Sequence, residues 1–312
     1  ENTYWYVDRT IDLTAGVFND TAVKWEGKIR PQIVRAFGDI DSPGLDGDRR
    51  LTVLNTQLEG AAGYFSGQDT HPRWVHPSSN EREMIFMDPL KLPPNGEEYL
   101  SVLTHEFQHV VHDNWDRGED SWVNEGLSGV ASTVAGYQSP FIGHFLSRPT
   151  ISLVNWPDNL AMTPSNYGAA TLFFAFAAGR NGGLGSMSEL VAIQKDGIEG
   201  VDEWLKDKGS SFKLEFRDWI VANYVDDENG RYSYPIRVPN RVFRLEKIDT
   251  STYEVPQFGS RYFELPVPAV DEAVPIRFQF DGNEKVHRFL RNCQGKCWWS
   301  NRGDSINTSL TL

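Results

Sequence analysis

The feature that most constrains this chain is a helix whose two faces demand different neighbours. Laid out at roughly 100° per residue, the segment 98–112 separates into two stripes. Leu100, Leu103, Phe107, Val110 and Val111 fall on one side, and His105, His109 and His112 gather on nearly the opposite one. The apolar stripe must bury itself against a core. The other carries three of the seven histidines in the chain, so the fold has to cover one face of this helix and present the other to a polar site.

His105 and His109 stand at i, i+4, which places two imidazoles one turn apart, about 6 Å between Cβ atoms, and suits two adjacent vertices of a Zn²⁺ tetrahedron. Glu106 lies beside His105 but off the stripe, so it reaches a metal-bound water without occupying a coordination position. This is the H-E-x-x-H arrangement, with the Glu as general base. The competing reading is a solvated, charged helix face.

A catalytic zinc needs a third protein ligand and an open position. Downstream stand His112, Asp113, Asp116, Glu119, Asp120 and Glu125. The extended motif H-E-x-x-H-x-x-G-x-x-H fails, because its Gly position is His112 and its third His position is Trp115. His112 stays on the stripe, yet three ligands from one straight helix would lie along a line; it reads as a cation favoured by the helix C-terminus. Glu125 is the stronger choice. It sits on a second expected helix, 121–138, opposite an apolar face of Trp122, Val123, Leu127, Val130 and Val134, and among the small residues Ser128, Gly129, Ser132 and Gly136. Small residues let that face approach another helix closely, as a two-helix His, His, Glu site requires. Asp116 and Asp120 remain the alternatives.

Composition narrows the remaining classes. A chain of 312 residues with 39% apolar side chains buries a real core. A net charge of −13 argues against a nucleic-acid partner, which would require a basic stripe. No apolar run approaches the roughly 20 residues of a membrane span; "AATLFFAFAAG" (169–179) reads as a buried helix. The chain opens on "ENTYWYVDRT" without a start Met or signal peptide and reads as a mature or trimmed form. Cys293 and Cys297 can close a small disulfide loop, which points to an oxidising, extracellular setting; two free thiols or half a metal site are the alternatives.

The organisation expected is α+β. Residues 16–38 carry helical spacing interrupted at Pro31 and stopped by Gly38. Leu51–Asn55, "AAGYFSGQD" and "EREMIFMD" read as short strands. Helices are expected at 97–113, 121–138, 166–179, 186–195 and 211–224. Beyond 230, "YSYPIRVPN", "RYFELPVP" and "VPIRFQF" alternate with period two. The expectation is a catalytic domain over 1–230, with a small N-terminal mixed sheet and its helices (about 1–95) packed on a mainly helical lobe (about 96–230), then a β-rich module over 231–312.

With His105, Glu106, His109 and the "NEG" Glu125 in place, the segment resembles the gluzincin metallopeptidases. More narrowly, "SNEREMIFMD", "LTHEFQH" and "WVNEGLS" look like secreted bacterial metallopeptidases of the hyicolysin type, over roughly 50–180. The resemblance implies zinc on His105, His109 and Glu125, Glu106 activating water, and a cleft between sheet and helical lobe. Fifteen residues separate His109 from Glu125, fewer than in thermolysin-like enzymes, and Gly129 replaces the Asp that follows the Glu ligand there by one turn. Asn124, Ser128 and Asp120 are the candidates to orient a histidine instead. Tyr167 is similar to the Tyr of related gluzincins that stabilises an oxyanion; Tyr137 and His144 are further candidates. An exposed sheet edge, from "AAGYFSG" or "MIFMD", would take the substrate as an added strand.

Two smaller signals complete the reading. Asp39, Asp41, Asp46 and Asp48 surround two glycines and could offer Ca²⁺ hard oxygen ligands, although an Asp-Gly turn explains the same residues and the spacing is not that of an EF-hand. Arg302-Gly303-Asp304 is ordinary turn chemistry, and "CWWSNRGDSINTSLTL" looks like the opening of the β-sandwich region of immune inhibitor A type secreted peptidases, as if a further module began there. The expected function is a secreted zinc endopeptidase acting on protein or peptide substrates. An aminopeptidase, and an adhesion or polymer-binding protein with a structural zinc, are the rivals.

Overall fold

The protein is described here as a computed structural model covering residues 2–238 except 41–42, 159–162, 226 and 228, and, further along, 246–247, 253–264, 288–291 and 297–300. Two compact units divide it: 1–244 with 253–261, and 245–252 with 262–312.

The first unit begins with a mixed sheet of β1 (Thr3–Val7), β2 (Leu51–Asn55), β3 (Gly63–Phe65) and β4 (Met84–Met87) in the order β1-β2-β4-β3. β1, β2 and β4 run parallel, pairing Thr3 with Leu51 and Thr52 with Met84, and β3 is antiparallel to β4, pairing Tyr64 with Phe86. β2 is central and buried along nearly its whole length, as a strand covered on both faces should be. β1 has no alternating pattern and is half exposed, which is why its sequence did not announce it. Of the two strands proposed as a substrate edge, β3 is the edge and β4 lies inside the sheet.

The expected helix over 16–38 forms as α1 (Asn19–Lys24), a π-helical turn (Trp25–Ile29) and α2 (Arg30–Phe37). Pro31 accounts for the break, since it lacks the N–H for a bond to Gly27 and its ring crowds that carbonyl, so the turn before it widens. Gly38 stops α2 at φ 101°, its N–H donating to the Val34 carbonyl at 3.0 Å. Trp25, fully buried, donates its indole N–H to Thr3 Oγ1 of β1 at 2.9 Å and fastens this helix to the sheet.

The helical lobe holds α3 (Glu97–Trp115), α4 (Ser121–Val134), α5 (Ile142–Ser147), α6 (Pro164–Arg180), α7 (Ser188–Val191), α8 (Gly197–Lys206) and α9 (Phe212–Val225). Leu100, Leu103, Phe107, Val110 and Val111 of α3 are all buried, as the stripe required. The α3 hydroxyl of Tyr99 donates to Asn55 Oδ1 at 2.7 Å, tying the helix to the end of β2. α4 packs between α3 and α6, and α6 is buried almost all round, as expected of its apolar sequence. Trp122 lies 5.3 Å from Phe174 and 5.6 Å from Phe212, and Phe173 5.7 Å from Trp219. Each such ring contributes about 1.5–3 kcal/mol by burial.

Several expectations shift. α4 ends at Val134, and Gly136, at φ 97°, lies beyond its end rather than on its small-residue face. The 186–195 helix is the short α7, while α5 and α8 are additions. "YSYPIRVPN" forms no strand over 232–238. Its alternation arises because Tyr232, Tyr234, Ile236 and Val238 dock on the helical core, with Tyr234 5.6 Å from Phe176 and donating to Asn223 Oδ1. Just before this stretch, Arg231 joins Arg180 and Arg217 on the buried carboxylate of Asp218.

The second unit contains β5 (Glu246–Lys247) parallel to β6 (Phe263–Glu264), and β7 (Arg288–Arg291) antiparallel to β8 (Cys297–Ser300). Cys293, the expected partner of Cys297 in a disulfide, lies outside the described residues, as do Arg302-Gly303-Asp304 and "VPIRFQF".

Candidate metal centre

α3 and α4 meet so that His105, His109 and Glu125 converge. His105 Nε2 lies 3.0 Å and His109 Nε2 3.4 Å from Glu125 Oε2, and the two imidazole Nε2 atoms are 3.1 Å apart. Three ligand atoms placed about 2.0–2.1 Å from one tetrahedral ion would lie about 3.3 Å from each other. The donor set therefore fits Zn²⁺ in size as well as in chemistry.

His109 is held from behind. Nε2 faces the cluster, so Nδ1 carries the proton and donates to Asn124 Oδ1 at 2.7 Å, with Ser128 Oγ 3.0 Å away. Ser128 in turn donates to Gln108 Oε1. Two of the three candidates for orienting a histidine, Asn124 and Ser128, thus meet at His109, whereas Asp120 turns toward Gly197 at the start of α8. Gln108, inside the pentapeptide itself, was not anticipated; its place on the face next to α4 was its available signal.

Burial disfavours charge on both partners, but mutual attraction outweighs it. Despite its burial Glu125 is held well below the usual carboxylate range by His109 and His105. Burial likewise lowers His109, yet the charge and hydrogen bond of Glu125, with Glu106 behind, raise it to about 9.

Glu106, 8% exposed, accepts the Phe65 N–H at 3.0 Å through Oε2, which fixes the carboxylate between α3 and the edge strand β3. Tyr167 on α6 donates to Glu125 Oε1 at 3.2 Å. Its ring rests against Phe141 and Trp156, and burial, then the Glu125 charge, raise its hydroxyl pKa. His144 lies with its ring tilted against Phe141, the centroids 6.4 Å apart, and Tyr137 lies past the end of α4. A cavity of about 270 Å³ opens here, bordered by Phe65, Gly67, His109, Asn124 and Glu125.

His112 departs from expectation. It is 1% exposed, not a solvated cation, and burial, reinforced by the charge of His109, lowers its pKa to about 4. The helix dipole cannot compensate for the loss of water around the ring. Asp113 accepts the Thr70 hydroxyl and Arg117 faces it at 3.7 Å. The described aspartates of the suggested calcium loop each face an arginine: Asp39 with Arg30 at 2.7 Å, Asp48 with Arg50 at 2.8 Å and Asp46 with Arg82 at 3.9 Å. They do not gather around one point, and Asp41 lies outside the described residues.

No family model matches the chain. Over 181 residues it is 26% identical to the neutral metalloprotease ShpI of Staphylococcus hyicus, a match covering 51% of this chain and 41% of that protein. The chain thus spans about two fifths of the length of the curated relative it matches. Among the described residues, no helix is long and apolar enough to cross a membrane.

Proposed function

We propose that the chain is a secreted zinc-dependent endopeptidase, with His105, His109 and Glu125 holding the ion. The observation that carries this reading is the triad's 3.0–3.4 Å spacing beside a carboxylate, Glu106, that is buried and oriented but outside the ligand set. The likeness to a neutral metalloprotease supports a metallopeptidase in general. A purely structural zinc would have no use for Glu106.

Zn²⁺ bound there would lower the pKa of a water toward about 7 and polarise the substrate carbonyl. Glu106 takes the proton of the attacking water and passes it to the leaving amine. Its Oε2 is anchored by the Phe65 N–H, so Oε1 is the atom free to carry that proton. The Tyr167 hydroxyl, 3.2 Å from Glu125, is positioned to donate to the oxyanion as the carbonyl becomes tetrahedral. β3, at the sheet edge and bonded to Glu106, is where an extended peptide would add as a further strand.

The deciding experiment compares casein cleavage and zinc content of the wild type and Glu106→Gln. The variant should keep its zinc and lose about 100-fold or more in rate; unchanged cleavage would refute the mechanism. Peptides blocked at the amino terminus separate endopeptidase from aminopeptidase, because only the former cleaves them. Comparing activity in culture medium with that in cell lysate tests secretion.

A further inference from the structure

The last turn of α3 and the connection to α4 contain a second convergence of ligating groups. His112, Asp116 and Glu119 each bring a ligand atom within 4.8 Å of the others. The Asn124 side chain is near enough to interact with His112, but neither ring nitrogen of the buried imidazole makes a hydrogen bond of normal geometry, and neither does the buried Oδ2 of Asp116. An imidazole and a carboxylate that needed only each other would close to hydrogen-bond distance and satisfy both. Here they stand close without bonding.

The other oxygens of the two acids are already committed. Asp116 Oδ1 accepts the Gly118 N–H at 3.2 Å. Glu119 Oε1 accepts the N–H of Asp120 at 2.6 Å and of Gly197 at 2.7 Å. These bonds shape the connection and aim it at the start of α8, leaving one oxygen of each carboxylate for something else. Arg117, the nearby cation, turns to Asp113 instead. Two carboxylates beside an imidazole that makes no normal hydrogen bond, in a sheltered place, call for a positive ion to balance them.

We infer that His112, Asp116 and Glu119 form a second divalent-cation site, distinct from the His105, His109 and Glu125 cluster. One nitrogen and two carboxylate oxygens suit a transition ion of the zinc class, with water completing the shell. Ca²⁺ seeks six to eight oxygens and is the poorer match. An ion here clamps the end of α3 to the 116–119 connection, the segment that carries the chain from the helix bearing His109 to the helix bearing Glu125. The site thus serves to hold the two ligand-bearing helices in register.

The test counts zinc on the full chain, stripped with chelator, reloaded with Zn²⁺ and freed of excess by gel filtration. Asp116→Asn and Glu119→Gln keep the acceptors of the backbone hydrogen bonds, so both should fold, and each should hold one Zn²⁺ fewer than the wild type. His105→Ala should lose a different equivalent, so that its combination with Glu119→Gln loses two. Asp116→Asn and Glu119→Gln chains that hold as much zinc as the wild type would overturn the site, whatever His105→Ala does. Failure of His105→Ala to lower the count would instead fault the triad. A hundredfold excess of Ca²⁺ should leave the count unchanged; displacement of the ion lost in Glu119→Gln would overturn the assignment to the zinc class.

Discussion

Gly129→Ala is the sharpest test of how the helices build the centre. Gly129 lies on α4 one turn beyond Glu125 and faces α6, which carries Tyr167. A methyl group at this position would run into the Thr171 hydroxyl and stand 3.0 Å from both Cβ and Cγ2 of that residue. Rotating Thr171 exchanges one γ atom for the other and breaks the bond its hydroxyl donates to the Tyr167 carbonyl at 2.9 Å. Overpacking of this kind costs about 1–3 kcal/mol and the lost hydrogen bond about 1 kcal/mol, against a gain of about 1 kcal/mol from replacing Gly by Ala in a helix. The net expectation is a loss of about 1–3 kcal/mol, read as a lower urea midpoint at unchanged slope. Separation of α4 from α6 also lengthens the 3.2 Å contact between Tyr167 and Glu125, so cleavage should fall with stability. In a Thr171→Ala background both γ atoms are gone, and the same substitution should cost at least about 1 kcal/mol less. A Gly129→Ala protein as stable as the wild type would show that the close approach of the helices is not what the structure says it is.

Ser128→Ala removes a group that holds His109 Nδ1 and also strands Gln108; zinc affinity should fall about 10–100-fold in competition with a chromophoric chelator. Tyr167→Phe should lower kcat by about 100-fold with little change in KM, and a pure rise in KM would argue against its donating to the oxyanion. Asp218→Ala removes the carboxylate shared by Arg180, Arg217 and Arg231 and should cost about 3 kcal/mol by chemical denaturation, with zinc content unchanged.

The sequence determined the parts of the centre that depend on local periodicity. The i, i+4 spacing of His105 and His109 needs only that 98–112 be helical, and its apolar stripe guarantees that. The small residues around Glu125 showed in advance that this face of α4 would approach another helix closely, and the apolar run of α6 foretold a buried helix. Gly38 marked a real stop, and Pro31 a real break whose widened turn is a local consequence of its ring.

Tertiary structure decided what depends on which distant segments meet. Strand order is a matter of non-local pairing, so neither the identity of β3 as the edge nor the presence of β1 was legible in short runs without alternation. His112 shares a stripe with His105 and His109, and helical geometry alone makes all three equivalent. Only the return of the 116–119 connection toward the last turn of α3 sets His112 apart as a buried, uncharged ring beside two acids. The period-two pattern at 232–238 likewise reported burial of alternate residues but not the partner, which proved to be the helical core rather than another strand. Periodicity records which side of a segment is covered; what covers it is fixed by contacts between residues far apart in the chain.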